Sequence, residues 1–157
     1  MNLKNLLKPL IITGLMAGTL DGLAACIMYS VPSGKDPMNV FRFIASGVFG
    51  TPAFSGGVTM AVWGIVFHFV IAYGWTILFF WLALRFRGIT KNWIASGFFY
   101  GIFVWLMMSQ IVVPLSLVPM KPNRREWTEI LKAATVLILC IGLPVSYSAK
   151  RHLSKHP

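Results

Sequence analysis

Polar and apolar positions divide this chain into a few long apolar runs with charged ends. Val58 to Leu84 is the longest, 27 residues without Lys, Arg, Asp or Glu. A bilayer-spanning helix needs about 20 apolar residues, so this run predicts a transmembrane helix. Pro9 to Val31, Trp93 to Val118 and Thr128 to Ser148 predict three more spans. Between the first two, Pro32, Ser33, Gly34 and Lys35-Asp36-Pro37 read as a turn. The following MNVFRFIASGVFG carries Phe41, Ile44, Val48 and Phe49 at helical spacing but is too short to span. It predicts a helix over about 38–49, interfacial or re-entrant. The expected fold is an all-α membrane protein, a four-transmembrane-helix bundle in one domain over 1–157, with that short helix between spans one and two and a basic tail over 149–157.

Composition agrees with the pattern. The chain is 57% hydrophobic and 11% charged, against about 25% charged in a soluble domain. Its net charge of +10 does not imply nucleic acid, because the cations cluster at the ends of apolar runs: Lys4 and Lys8; Arg85, Arg87 and Lys91; Lys121, Arg124 and Arg125; Lys150, Arg151 and Lys155. Such charges anchor helices and attract anionic lipid head groups. With the N-terminus inside, the inner segments hold eight Lys/Arg and the outer ones six, which favours cytoplasmic termini. Lys4 and Lys8 ahead of Leu23-Ala24-Ala25-Cys26 also resemble a lipoprotein signal with Cys26 as the lipidated residue. Asp21 argues against that, since a signal core is apolar.

Small residues mark the expected helix contacts. Gly14, Gly18 and Gly22 recur every four residues in span one; Ala61, Gly64 and Ala72 share a face with His68 in span two; Gly97 and Gly101 form a GxxxG in span three. Stripes of this kind let helices approach closely. Pro114 in span three and Gly142 with Pro144 in span four predict broken or kinked turns.

Few residues carry chemistry. An ionisable side chain at membrane depth is costly unless it faces protein, a partner or water. Asp21 and His68 both lie at that depth, within a few ångströms of each other if the spans run antiparallel, and Ser109 and Gln110 fall on the same half. These four are the candidate polar seam. Either Asp21 and His68 form a buried packing pair, or they line a polar cavity and exchange protons. A second candidate is the loop TPAFSGG, whose Ser55, Gly56 and Gly57 can offer N–H groups to an anion; the plainer reading is a turn feeding a helix. Asp21, His68 and Ser109 supply the residue types of a hydrolytic triad, yet no nucleophile elbow, zinc-protease helix, phosphate loop or dinucleotide fingerprint is present. No metal-ligand spacing occurs, Cys26 and Cys140 read as small packing residues, and no cofactor is expected.

FHFVIAYGWTILFFWL with His68-Phe69, followed by SGFFYGIFVWLMMSQIVVPLSLVP, resembles the YagU-type family of small bacterial inner-membrane proteins, a domain of unknown function. The resemblance runs from about Phe67 to Pro119, and His68, Gly97, Gly101, Trp105, Pro114 and Pro119 carry it. It implies a multi-span protein of the bacterial inner membrane and transfers no activity or cofactor; Asp21 lies outside it. The functional expectation is movement of protons or a small solute along the seam around His68. The alternatives are an accessory subunit of a membrane complex or homo-oligomer, with Asp21 and His68 as packing glue, and a membrane-embedded enzyme.

Overall fold

The structure is a computed structural model that describes residues 3–119 and 127–153. Helix α1 is Leu3–Ser33, α2 is Met38–Phe49 and α3 is Gly57–Arg85. Helix α4 is Trp93–Leu115 and α5 is Trp127–Leu153. Among the described residues there is no strand. Four helices are long and apolar enough to cross a membrane, and α2 is the short apolar helix between the first two of them. The loop with Lys121, Arg124 and Arg125, and Lys155 in the tail, lie outside the described residues.

Three boundaries differ from the sequence reading. Pro32 and Ser33 close α1, so the turn begins only at Gly34, where φ is +64°. Helix α4 stops at Leu115 because Ser116 turns extended (ψ 172°). Helix α5 runs through 149–153, a stretch expected as basic tail. Burial holds it: Ala149 is fully buried and Ser148 hydrogen-bonds Thr13 of α1.

The burial pattern is that of a bundle in lipid. On α1, Thr13, Gly14, Ala17, Gly18 and Gly22 are buried, whereas Ile11, Ile12, Leu15, Leu23 and Ile27 are exposed. Large apolar side chains face outward and small ones inward because lipid solvates Leu and Ile as well as a protein interior does; close backbone approach is what drives association. A Cβ at Gly18 would lie 2.8 Å from the Phe69 ring, and one at Gly14 would strike Tyr73. The α1 stripe therefore receives the aromatic side chains of α3. Helices α4 and α5 meet at Gly97, Gly101 and Gly142: a Cβ at Gly97 would lie 2.9 Å from the Gly142 carbonyl oxygen, and one at Gly101 2.5 Å from the Ile138 Cα.

Hydroxyl groups tie the helices to neighbouring carbonyls. Tyr73 donates to Ile11 O (3.1 Å), Tyr100 to Trp75 O (2.6 Å) and Ser146 to Trp93 O (2.7 Å). Each such bond stabilises a membrane bundle by roughly 0.6–2 kcal/mol. These contacts, with the cluster Phe79, Phe80, Ala83, Tyr100, Val145 and Ala149, close the end of the bundle that carries Arg85, Lys91 and Arg151.

Helices α4 and α5 each contain a π-helical turn just before a proline, Met108–Val112 ahead of Pro114 and Ile138–Gly142 ahead of Pro144, whereas α1, with Pro9 and Pro32, is α-helical from Leu3 to Ser33. Proline lacks an N–H and its ring collides with the carbonyl four residues back. Widening the preceding turn relieves that collision: Val113 N–H reaches back to Met108 O and Leu143 N–H to Ile138 O.

Helix α2 lies across α3. Phe41 and Phe49 sit near its two ends, yet both meet one short stretch of α3: Phe41 stacks edge-on to His68 (6.1 Å) and Phe49 to Trp63 (6.2 Å). Gly64 permits this crossing, since a Cβ there would collide with the Phe41 carbonyl. The start of α2 is fixed by Arg42, which donates to Gly57 O (3.1 Å), Asp36 (3.3 Å) and Asn39 (2.8 Å). Its end is fixed by Gly47 O, which accepts from Leu117 N–H (2.9 Å).

The α4–α5 crossing gives a direct test. Gly142→Ala forces a methyl group against the Gly97 carbonyl and is expected to cost about 1–3 kcal/mol, read as a lower unfolding temperature in detergent. Gly74→Ala, where nothing lies within 4 Å, is expected to be neutral or stabilising by up to about 1 kcal/mol. Equal behaviour of the two variants would show that the crossing is not a close contact.

Candidate functional site

His68 faces α1 because it stands one turn beyond Gly64 and one turn before Ala72 on the buried face of α3. It is 9% exposed, and its ring lies edge-on to Phe41 and Phe69. Its Nε2 is 2.8 Å from the Gly18 carbonyl oxygen. A carbonyl only accepts, so Nε2 carries the proton. Gly22 makes room for the ring, since a Cβ there would lie 3.1 Å from Nε2. Nδ1 has no hydrogen-bond partner among the described residues.

Asp21 is half-buried on the same side of α1. No nitrogen of His68 lies within 4.0 Å of its carboxylate, so the two do not form the direct packing pair that depth allowed. They stand within electrostatic reach of each other, and Cys140 of α5 is within reach of Asp21. Among the described residues no side chain hydrogen-bonds the Asp21 carboxylate.

What joins Asp21 and His68 is space. Both line a chamber of about 430 Å3 enclosed by all five helices. Its walls are apolar and partly aromatic, including Phe41, Phe43, Phe67 and Trp75, and its floor is Val104 and Ile141, which belong to the buried core. Helix α2 forms the roof through Val40, Phe41, Ile44 and Gly47. Trp75 adds a buried indole N–H with no partner. A groove of about 1090 Å3 between α1, the start of α5 and α2 leads away from the chamber. Asp21, Ala25, Val40, Phe43 and Leu137 line both spaces, so Asp21 marks the junction. At its outer part the groove passes Lys35, Asn39 and the Glu129–Lys132 ion pair (2.9 Å).

Two expected members do not line the chamber. Ser109 donates to Leu106 O (3.4 Å) and accepts from Gln110 (3.3 Å), Gln110 is exposed, and neither lines the chamber. They share its depth but not its face: Val104, Met108 and Val112, spaced by four, turn toward it, and Ser109 and Gln110 fall between them on other sides of the helix. The residue types of a triad are thus not assembled, since His68 makes no hydrogen bond to either Asp21 or Ser109. The loop Ser55, Gly56 and Gly57 also differs from an anion cradle. Ser55 donates to Pro52 O (3.1 Å), and Gly57, at φ +57°, turns its carbonyl to Arg42. It is a turn that feeds α3 and clamps α2.

Sequence reasoning missed the roof, the Trp75 indole and Gly142 as the third glycine of the α4–α5 crossing. Pro114 and Pro144 were the available signal for the two π turns, both of which contribute to the chamber wall through Met108, Val112 and Ile141. Among the described residues no cluster of three potential metal ligands occurs.

Fold and site define the class: a multi-pass α-helical membrane protein with a chamber among its helices that continues into a groove. The chain matches no protein-family model, no curated protein and no solved structure.

Access through the groove is testable by thiol labelling. With Cys26 and Cys140 replaced by Ala, Ala25→Cys lines both chamber and groove and is expected to react with a small water-soluble maleimide. Ala17→Cys, fully buried in the core, is expected to react at least about tenfold more slowly. Similar rates would mean that the groove does not admit solvent.

Proposed function

We propose that this protein is a carrier of the bacterial inner membrane that takes a proton or a small solute into the chamber between Asp21 and His68. The observation that supports the reading is that these two ionisable side chains share a cavity without pairing with each other. A pair that served packing alone would close its hydrogen bonds internally, because burying an unmatched charge is costly. Here only Nε2 of His68 is committed to packing, through Gly18 O.

In this reading the groove is the entrance and the cluster around Phe80, Tyr100 and Val145 is the closed gate of the opposite end. The chamber borders the π turns of α4 and α5, whose surplus backbone geometry suits a change of helix direction. With cytoplasmic termini, as the Lys/Arg count favours, the groove opens outward. The basic end then meets the anionic head groups of the inner leaflet. The resemblance of Phe67–Pro119, His68 included, to the YagU-type family supports a bacterial inner-membrane setting in this reading.

The test is proton movement in proteoliposomes under an imposed pH gradient, followed with a trapped pH dye. The expected result is a flux above that of empty liposomes, reduced at least about tenfold in both His68→Ala and Asp21→Asn, with variants eluting as the native protein does in detergent. A flux unchanged in both variants would refute the carrier reading.

A further inference from the structure

We propose that the solute is an amphipathic organic cation, held by the Asp21 carboxylate against the aromatic wall of the chamber; this deepens the carrier reading and rests on it.

Three observations converge. First, Asp21 is a carboxylate in an apolar surround without a cationic partner within 4.0 Å. Such a group is neutralised by a proton or by a counter-ion from outside. Second, among the described residues no protein cation makes a direct ion pair with it. The titratable groups facing Asp21 are His68 from α3 and Cys140 from α5, with Glu129 and Lys132 of α5 and Lys35 of the α1–α2 connection further along the groove. Lys132 is taken by Glu129, His68 spends Nε2 on Gly18, and α2 and α4 put no titratable side chain on the chamber wall. Third, the remaining wall suits an apolar cation. Phe41, Phe43, Phe67 and Trp75 offer ring faces and edges, and ring faces attract cations. The chamber volume of about 430 Å3 falls in the range of small-molecule sites.

Proton linkage follows from the same carboxyl group. A cation that binds beside Asp21 displaces the proton that otherwise neutralises it, so one proton leaves for each cation held. His68 stands within electrostatic reach of the same carboxylate. An anion of the same size and shape finds the Asp21 charge opposed to it.

The experiment uses the full chain in detergent and two probes of one shape, tetraphenylphosphonium and tetraphenylborate. Expected are one saturable phosphonium site by equilibrium dialysis, release of about one proton per probe bound in weak buffer, and no saturable borate site. Asp21→Asn is expected to weaken phosphonium binding at least about tenfold, and Asp21→Glu to retain it. Equal binding of both probes, or native binding by Asp21→Asn, overturns the proposal; the probe comparison needs no variant and stands even if Asp21→Asn fails to fold. His68-dependent proton flux without phosphonium binding overturns the cation and leaves the carrier standing. Phosphonium binding without flux overturns the carrier and leaves the cation site standing.

Discussion

The hydrogen bond from His68 to the Gly18 carbonyl is the contact on which the rest of the structure depends. It exists because Gly14, Gly18 and Gly22 leave α1 without side chains on the face that α3 approaches. The same stripe lets Phe69 and Tyr73 settle beside the imidazole. An imidazole in lipid would be costly; pressed against a bare helix backbone, it finds an acceptor whose second lone pair is not needed by the helix. The bond fixes the tautomer. Every chemical property of the chamber then follows from which nitrogen is left over.

Around that contact the bundle is built unevenly. At one end, glycine crossings, hydroxyl-to-carbonyl bonds and the aromatic cluster of Phe79, Phe80 and Tyr100 draw the helices into close contact. At the other, α2 is laid across α3 and cannot fill the volume beneath it. It is held by Arg42 at one end and by the Gly47 carbonyl at the other, and the chamber is what remains below. The π turn of α4 borders the chamber through Met108 and Val112, and that of α5, which packs against Gly97 and Gly101, reaches it through Ile141.

Much of this architecture is legible in the order of residues. Four apolar runs locate the four membrane-crossing helices, and the apolar spacing of Phe41, Ile44 and Val48 locates α2. The small-residue stripes of α1 and α4 mark surfaces that do pack. The errors have physical causes. Helix α5 continues past Ser148 because Ala149 is buried by neighbours that no local pattern reveals. Ser109 and Gln110 share the depth of the chamber but not its face, because depth arithmetic fixes a level along a helix and not the side that Val104, Met108 and Val112 present. Gly142 reads as a helix breaker beside Pro144, whereas its missing side chain is what admits Gly97. The chamber itself was only half visible. Depth arithmetic brings Asp21 and His68 to one level, but the gap between them depends on how α2 crosses α3, which rests on Gly64 meeting a backbone carbonyl.

The central claim is that the free nitrogen of His68 meets water or a solute and is not sealed in a dry helix contact. Water-edited solid-state NMR of the protein in lipid, with ring-15N histidine, addresses it most directly. The account predicts rapid magnetisation transfer from water to the Nδ1 signal of His68, with Nε2 protonated throughout. A His68 ring that receives water magnetisation no faster than the buried backbone amide of Val104 would contradict it.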